Sequence, residues 1–329
     1  MDRRPVARCR TKSVVTVRDQ PQTKPAVMGV RDIQAKLMLV LLCLIWGVTW
    51  PVMKIALNEI PPLSMRASAA GISALTMLMI CIVNRSSFRI PNARAWAHVA
   101  AMSLFNIVGV NLLNTFAQIA TATSRVAMVA YTMPIWTVLL AWVTLGERPN
   151  RIQAMAVLLC AAGLAILIYP LTANGWPLGA LLAAASGLSW AAGTVYVKWA
   201  QIEADPLGIT SWQLSIAFFV IAACLLIFER PLNLSAVHAD AVFAVAFTGV
   251  FGSAVAYSLW FEIVRRLPAA TASLAILGSP VIGVVTSMLI LGERPSGADL
   301  IGFAFIFAAS ACVVLTARVR RSVSLIPKT

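Results

Sequence analysis

Apolar runs of roughly 20 residues, each long enough to cross ~30 Å of hydrocarbon, follow one another from residue 37 to residue 317. The pattern predicts helical spans at 37–57, 63–83, 95–118, 123–144, 150–169, 178–199, 207–228, 239–264, 269–291 and 297–317. The connectors are short and carry turn residues: Pro61-Pro62, Arg89-Ile-Pro91, Ala173-Asn-Gly175 and Glu229-Arg-Pro231. In lipid every backbone polar group must be satisfied internally, so each span is expected to be a helix.

The runs repeat. Tyr131-Thr-Met-Pro134 precedes Leu145-Gly-Glu-Arg-Pro149, and Leu277-Gly-Ser-Pro280 precedes Leu291-Gly-Glu-Arg-Pro295, an offset of 146 residues. Trp46 and Lys54 return as Trp190 and Lys198, an offset of 144. Such self-similarity marks duplicated units. Five spans per unit make the two copies enter the membrane from opposite sides, a geometry used by secondary transporters. The expected fold is therefore all-α, a polytopic membrane protein with ten transmembrane helices as two inverted five-helix repeats. The expected divisions are a basic disordered tail at 1–36, repeats at 37–172 and 173–317, and a basic tail at 318–329.

Composition agrees with a membrane protein. Sixty per cent of residues are hydrophobic and 12% charged, against about 25% charged in soluble domains. The net charge of +14 is concentrated outside the apolar runs. Residues 1–36 hold nine Lys/Arg, and Arg318, Arg320, Arg321 and Lys328 follow the last run. With both termini cytoplasmic, the inner connectors hold Arg85, Arg89, Arg94, Arg148, Arg151, Lys198, Arg265 and Arg266. Lys54, Arg66, Arg125, Arg230 and Arg294 fall outside. Counting the tails gives twenty-one against five, which favours this topology. The basic charge implies a bilayer with anionic headgroups as a partner, and no nucleic acid. No cleavable signal peptide is expected, and Met28 is a second candidate start.

Candidate chemistry is sparse. The six cysteines lack C-x-x-C spacing, and His98 and His238 are isolated, so neither a metal site nor a cofactor is expected. The spans hold no H-E-x-x-H, no Gly-x-Gly-Asp and no Ser with a nearby His, so an intramembrane enzyme is not expected. Asn111, Asn114 and Gln118 share one helix face, as helix–helix glue or as a hydrogen-bonding wall for substrate. Tyr131 and Tyr257 add hydroxyls, as do Ser124, Thr132, Ser253 and Ser258, and Gln213 adds an amide. Trp46 and Trp190 lie mid-span, where headgroup anchoring fails as an explanation; core packing or a cavity wall remains. Trp50 and Trp260 complete the aromatic candidates. Lys54 and Lys198 either snorkel or act as gates. Apart from Asp240 and Asp299 at span starts, Glu262 is the one carboxylate inside a span, either paired with Arg265 and Arg266 or a coupling group. Glu147 and Glu293 are expected to pair with the adjacent Arg or with helix ends. Pro134 and Pro280 each delete one helical hydrogen bond near mid-span and serve as packing kinks or hinges.

Leu44-Ile-Trp-Gly-Val-Thr-Trp-Pro51 with Lys54, Thr123 to Pro134, Leu145-Gly-Glu-Arg148, Leu267-Pro-Ala-Ala-Thr-Ala-Ser273, Pro280-Val281 and Leu291-Gly-Glu-Arg294 carry a resemblance. In order, spacing and duplication the chain resembles a ten-helix member of the drug/metabolite transporter superfamily with two EamA repeats. The resemblance implies an inner-membrane carrier for small metabolites, commonly outward, with a central cavity lined by spans one, three, four, six, eight and nine. It departs in one respect. Small four-helix relatives carry a buried Glu on their first helix, and residues 37–57 hold no acidic residue. The expected function is efflux of an amino-acid-like or amphipathic solute by alternating access. An importer on the same fold, or a non-transporting receptor or scaffold, is the alternative. The site was expected to lack buried charge and to suit neutral or zwitterionic solutes. The expected partners are a small-molecule substrate and lipid, with a homodimer as an option.

Overall fold

The computed structural model describes residues 25–169, 178–229, 237–267 and 278–323, together with 272 and 276. Among the described residues the secondary structure is helical, without strands. We number the helices α1 (Pro25–Leu57), α2 (Pro62–Val83), α3 (Ala93–Ala120), α4 (Thr123–Leu145), α5 (Arg151–Ile168), α6 (Leu178–Ala200), α7 (Pro206–Phe228), α8 (Ala239–Arg266), α9 (Gly278–Leu291) and α10 (Gly297–Val323). Seven of them, α1 to α4 and α6 to α8, are long and apolar enough to cross a membrane; α5, α9 and α10 contribute shorter apolar stretches. This is a multi-pass membrane protein.

Two expectations about the ends are corrected. Residues 25–36 are helical, not a disordered tail, because α1 propagates upstream to Pro25, whose missing N–H costs nothing at a helix start. α10 likewise runs to Val323, through the basic residues assigned to a tail. Residues 1–24 and 324–329 lie outside the described residues.

Helix ends are set by recognisable caps. Asn150 and Gln153 form a reciprocal capping box at α5. Ser296 and Asp299 do the same at α10, with Ser296 N donating to Asp299 Oδ2 at 2.8 Å and Asp299 N to Ser296 Oγ at 3.2 Å. The two Leu-Gly-Glu-Arg turns have the same shape: Gly146 and Gly292 adopt φ of +68° and +67°, the left-handed region that favours glycine. Other caps come from distant residues. Glu229, at the end of α7, accepts from Leu63 N (2.8 Å) and Ser64 N (2.7 Å) at the start of α2. Glu293 accepts from Thr123 N and Ser124 N, both at 3.0 Å, at the start of α4. A carboxylate there satisfies orphan N–H groups and complements the positive helix end.

At the other end of the α2–α7 pair, Ser87 N donates to Asp205 Oδ2 (3.0 Å). The start of α2 thus meets the end of α7, and the end of α2 meets the start of α7. The two helices are antiparallel. Outside the spans, Glu59 accepts from His238 N at 2.8 Å, and this bond holds its carboxyl below the usual carboxylate range.

Small residues allow close helix approach. A side chain at Gly47 of α1 would meet Ile282 of α9, and one at Gly163 of α5 would meet the Gly302 carbonyl of α10. Pro51, inside α1, leaves the Gly47 carbonyl without its i+4 donor, and Thr286 Oγ1 of α9 donates to it at 3.3 Å. The pairs α3–α6 and α1–α8, α4–α6 and α1–α9, and α2–α7 and α5–α10 make the main helix contacts.

Two spans contain π-helical turns, Leu104–Gly109 in α3 and Thr248–Val255 in α8. Such turns redirect side chains and frequently sit at functional sites. Each offers a backbone carbonyl to a neighbouring helix. Phe105 O accepts from Ser189 Oγ of α6 (2.7 Å), and Gly252 O accepts from Trp46 Nε1 of α1 (3.2 Å).

Candidate functional site

The middle of the helical bundle holds a cavity with about 670 Å³ of atom-free space, its mouth included. Six helices converge on it. α1 contributes Trp46, Thr49, Trp50 and Met53; α2 contributes Arg66; α3 contributes Val110, Asn111 and Asn114. The break in α4 contributes Ala130 and Tyr131, α6 contributes Ser186, Gly187 and Trp190, and the π turn of α8 leads to Gly252, Ser253 and Tyr257.

One wall is aromatic. Trp46 and Trp190 meet edge to face with ring centroids 5.0 Å apart, and Tyr257 stacks on Trp190 at 5.9 Å. Trp260 closes the cluster from behind, 5.2 Å from Trp190 and 5.8 Å from Trp46. Edge-to-face and offset arrangements of this kind are the favoured geometries for aromatic pairs. Trp190 lies beside Gly187, where a side chain would strike Thr132 Oγ1 and the Ala130 carbonyl, so α6 rests directly on the α4 break.

The other wall is polar and contains a buried cation. Arg66 is 5% exposed. Its Nη1 donates to Asn111 Oδ1 at 2.9 Å, its Nε donates to Thr115 Oγ1, and its Nη2 reaches Met53 Sδ. Asn111 Nδ2 donates to Ile107 O (2.8 Å) and lies 3.4 Å from the Tyr257 hydroxyl, which donates to Asn106 O at 3.1 Å. Asn114 Oδ1 has no protein partner. The site therefore offers flat apolar faces, amide groups and a guanidinium.

A second cavity lies between the end of α6 and the start of α7, bounded by Lys198, Gln201, Thr210, Gln213, Phe261 and Arg265. Tyr257, which donates to Asn106 O, lines the first cavity, and Phe261, stacked on Tyr257, lines the second. Asn106 is fully buried against Gly193, where a side chain would overlap its amide, and among the described residues neither of its side-chain polar atoms has a hydrogen-bond partner.

Comparison with known proteins fits this architecture. The EamA-like transporter family matches twice, over residues 34–169 and 177–315. The chain belongs to the EamA-like transporter family. It is 24% identical over 254 residues to the uncharacterized transporter YoaV of Bacillus subtilis (strain 168), covering 76% of this chain and 86% of that protein. It is 23% identical over 304 residues to a probable amino-acid metabolite efflux pump of Escherichia coli (strain K12), covering 87% and 96%. A crystal structure aligns with a TM-score of 0.68 at 23% identity over 87% of this chain and 98% of that one, a likeness of fold. The protein is a membrane transporter.

In this EamA-like transporter, Trp46, Trp50, Asn111, Asn114, Tyr131, Trp190 and Tyr257 come together around one cavity. Gln118 and Trp260 do not line it. Gln118 is fully buried; its Nε2 lies 3.4 Å from Trp50 O and its backbone carbonyl accepts from Lys54 Nζ at 2.9 Å. It ties the ends of α1 and α3, and Lys54 is engaged in the same clamp. Lys198 lies at the second cavity. Glu262 pairs with Arg265 (3.1 Å) and Arg266 (2.6 Å), three and four residues on, and borders neither cavity.

Other expectations are corrected. Pro280 is not mid-helix, because α9 begins at Gly278 and the missing N–H falls in the first turn. Pro134 likewise opens the second segment of α4, after an interruption at Tyr131 and Thr132. Pro51 of α1, not singled out by sequence, is the proline inside a continuous span. Among the described residues α9, which packs against α1, lends none to the lining, while α2 does. Arg66, assigned to the outer side, is buried in the cavity wall, so the expectation of a site without buried charge is overturned. A sequence signal existed: Arg66 lies four residues past Pro62, within the helix that this proline opens.

Proposed function

We propose that this protein is a secondary carrier that exports a small amphipathic, amino-acid-like metabolite across the inner membrane by alternating access. Both termini are cytoplasmic, and ten transmembrane helices form two inverted five-helix repeats. The observation that carries this reading is the antiparallel pairing of α2 with α7. These two helices occupy the same place in the two halves, so opposite directions within the pair support opposite insertion of the halves. Contacts come in exchanged pairs, which supports it further: α1 with α9 and α6 with α4, α8 with α1 and α3 with α6.

In this reading the halves rock about an axis in the membrane plane and expose the central cavity to each side in turn. In the same reading Asn106, Tyr257 and Trp260 serve as a plug between the main cavity and the chamber beside Lys198 and Arg265. The orphaned polar atoms of Asn106 and the N–H of Trp260 support a movable plug, because buried polar groups left unpaired in one state are satisfied by rearrangement in another. The α4 break and the two π turns are the places where helices bend. The name of the E. coli relative, an amino-acid metabolite efflux pump, supports the solute class and outward direction. Import on the same fold is the alternative, since gradients and not architecture set direction.

Purified protein in proteoliposomes tests this. Saturable counterflow is expected for at least one amphipathic amino acid or related metabolite across a panel of amino acids, nucleosides and organic cations. Transport confined to multivalent anions would contradict it, and binding without exchange in sealed vesicles would favour a receptor.

A further inference from the structure

We infer that Arg66 is the anchor for an organic monocarboxylate, so that among amino-acid-like solutes the cavity takes the deaminated acid ahead of its amide or its α-amino counterpart, with the amino acid itself a weaker solute. The inference rests on the carrier reading for its physiological meaning but not for its chemistry. A guanidinium has five N–H donors and is always charged. Neutral acceptors account for three of those donors on Arg66, and one of them, the Met53 thioether, is weak. Among the described residues no carboxylate lies within 4 Å of it. A buried cation without a counter-anion is costly, and it is retained where a charge arrives from elsewhere.

The nearby carboxylate is already engaged. Glu229, which reaches the start of α2, is spent on the N–H groups of Leu63 and Ser64. Arg66 lies one turn into α2, past the helix start that Glu229 caps, and forms no ion pair with that carboxylate. The cavity lining thus joins a cation to Asn114, whose Oδ1 is unpartnered among the described residues, and to the indoles of Trp46 and Trp190. A carboxylate on Arg66 places an attached ring or alkyl body against those indoles. Among the described residues the lining contains no Asp or Glu to receive an ammonium group. An amino acid therefore loses the hydration of its ammonium without a carboxylate in return.

Three probes separate these terms: 3-phenylpropionate, 3-phenylpropionamide and L-phenylalanine. Binding to the intact protein in lipid nanodiscs is read by fluorescence of the cavity tryptophans, and flux is read in proteoliposomes. The carboxylate is expected to bind about tenfold or more tighter than the amide, the effect of one charge-assisted hydrogen bond. L-Phenylalanine should bind more weakly than 3-phenylpropionate. Arg66→Gln should abolish the preference for the carboxylate, and Arg66→Lys should keep part of it, since lysine supplies charge without the fork. Equal binding of carboxylate and amide by the wild-type protein overturns the inference, as does no binding of the carboxylate, and neither needs a variant to fold. Equal flux of the two probes sinks the inference while the carrier reading stands. Selective carboxylate binding with no flux of any solute sinks the carrier reading while the anion site stands.

Discussion

Trp46→Ala is expected to cut solute flux at least tenfold (on the order of 1.4 kcal/mol of binding or barrier) while the protein still inserts. The indole contacts three other aromatic rings, those of Trp190, Tyr257 and Trp260, and its Nε1 donates to the Gly252 carbonyl in the π turn of α8. Truncation removes the face on which a solute lies and frees Trp190 and Tyr257 to close over the gap. It also costs stability, about 3–5 kcal/mol for a fully buried Trp and less here, where the ring is only partly buried. Trp46→Phe separates the two effects: it keeps an aromatic face, loses the hydrogen bond, and should retain most of the flux. Trp96→Ala is the control, since Trp96 pairs with Trp212 away from the cavity and is 37% exposed. Counterflow per reconstituted molecule is the measurement. Wild-type rates in Trp46→Ala would remove the cavity assignment.

Gly208→Ala is expected to be the most damaging single-methyl change to stability, about 2–4 kcal/mol from overpacking and lost hydrogen bonds. A Cβ there would fall far inside the van der Waals distance of the Ser87 carbonyl oxygen, a backbone atom that cannot swing aside. The Ser87–Phe88 segment is itself pinned. Ser87 N donates to Asp205 Oδ2 at 3.0 Å, and Phe88 O accepts from Trp212 Nε1 at 2.9 Å. Relief of the clash must break at least one of these ties between the end of α2 and the start of α7. Gly297→Ala is the matched control, because nothing lies within 4 Å of its added methyl. Thermal unfolding in detergent should show a lowered midpoint for Gly208→Ala and an unchanged or raised one for Gly297→Ala. Equal midpoints would mean that the α2–α7 packing is looser than described.

The helices were legible because their signal is long: an apolar run of membrane length leaves the backbone one way to satisfy itself. The positions of Asn111 and Asn114 were legible because helical spacing puts them on one face. Trp46 and Trp190 were legible because a tryptophan repeated at mid-span has no headgroup to reach. Gln118 and Trp260 obey the same arguments and yet miss the cavity, since spacing gives a face but not the depth to which a neighbouring helix covers it. Arg66 was misplaced for a related reason. Close to Pro61-Pro62 it counts only as a charge on the outer side, and the packing of α1 and α3 against it is what makes it buried. The break at Tyr131 and Thr132 and the two π turns leave no mark in hydrophobic periodicity, because they shift the backbone by a single hydrogen bond. Glu229 and Glu293 as distant caps depend on which helix ends meet, which is tertiary information.

The central claim is that the two halves are oppositely inserted around the cavity. Arg148 and Arg294 are exposed, occupy the same place in the two Leu-Gly-Glu-Arg turns, and lie 146 residues apart. Arg148→Cys and Arg294→Cys, each in a variant lacking the native cysteines, can be labelled in intact cells with a membrane-impermeant maleimide. Protection of Cys at 148 and labelling at 294 is the predicted result. Labelling of both sites, or of neither until the cells are opened, would place the turns on one side and contradict the account.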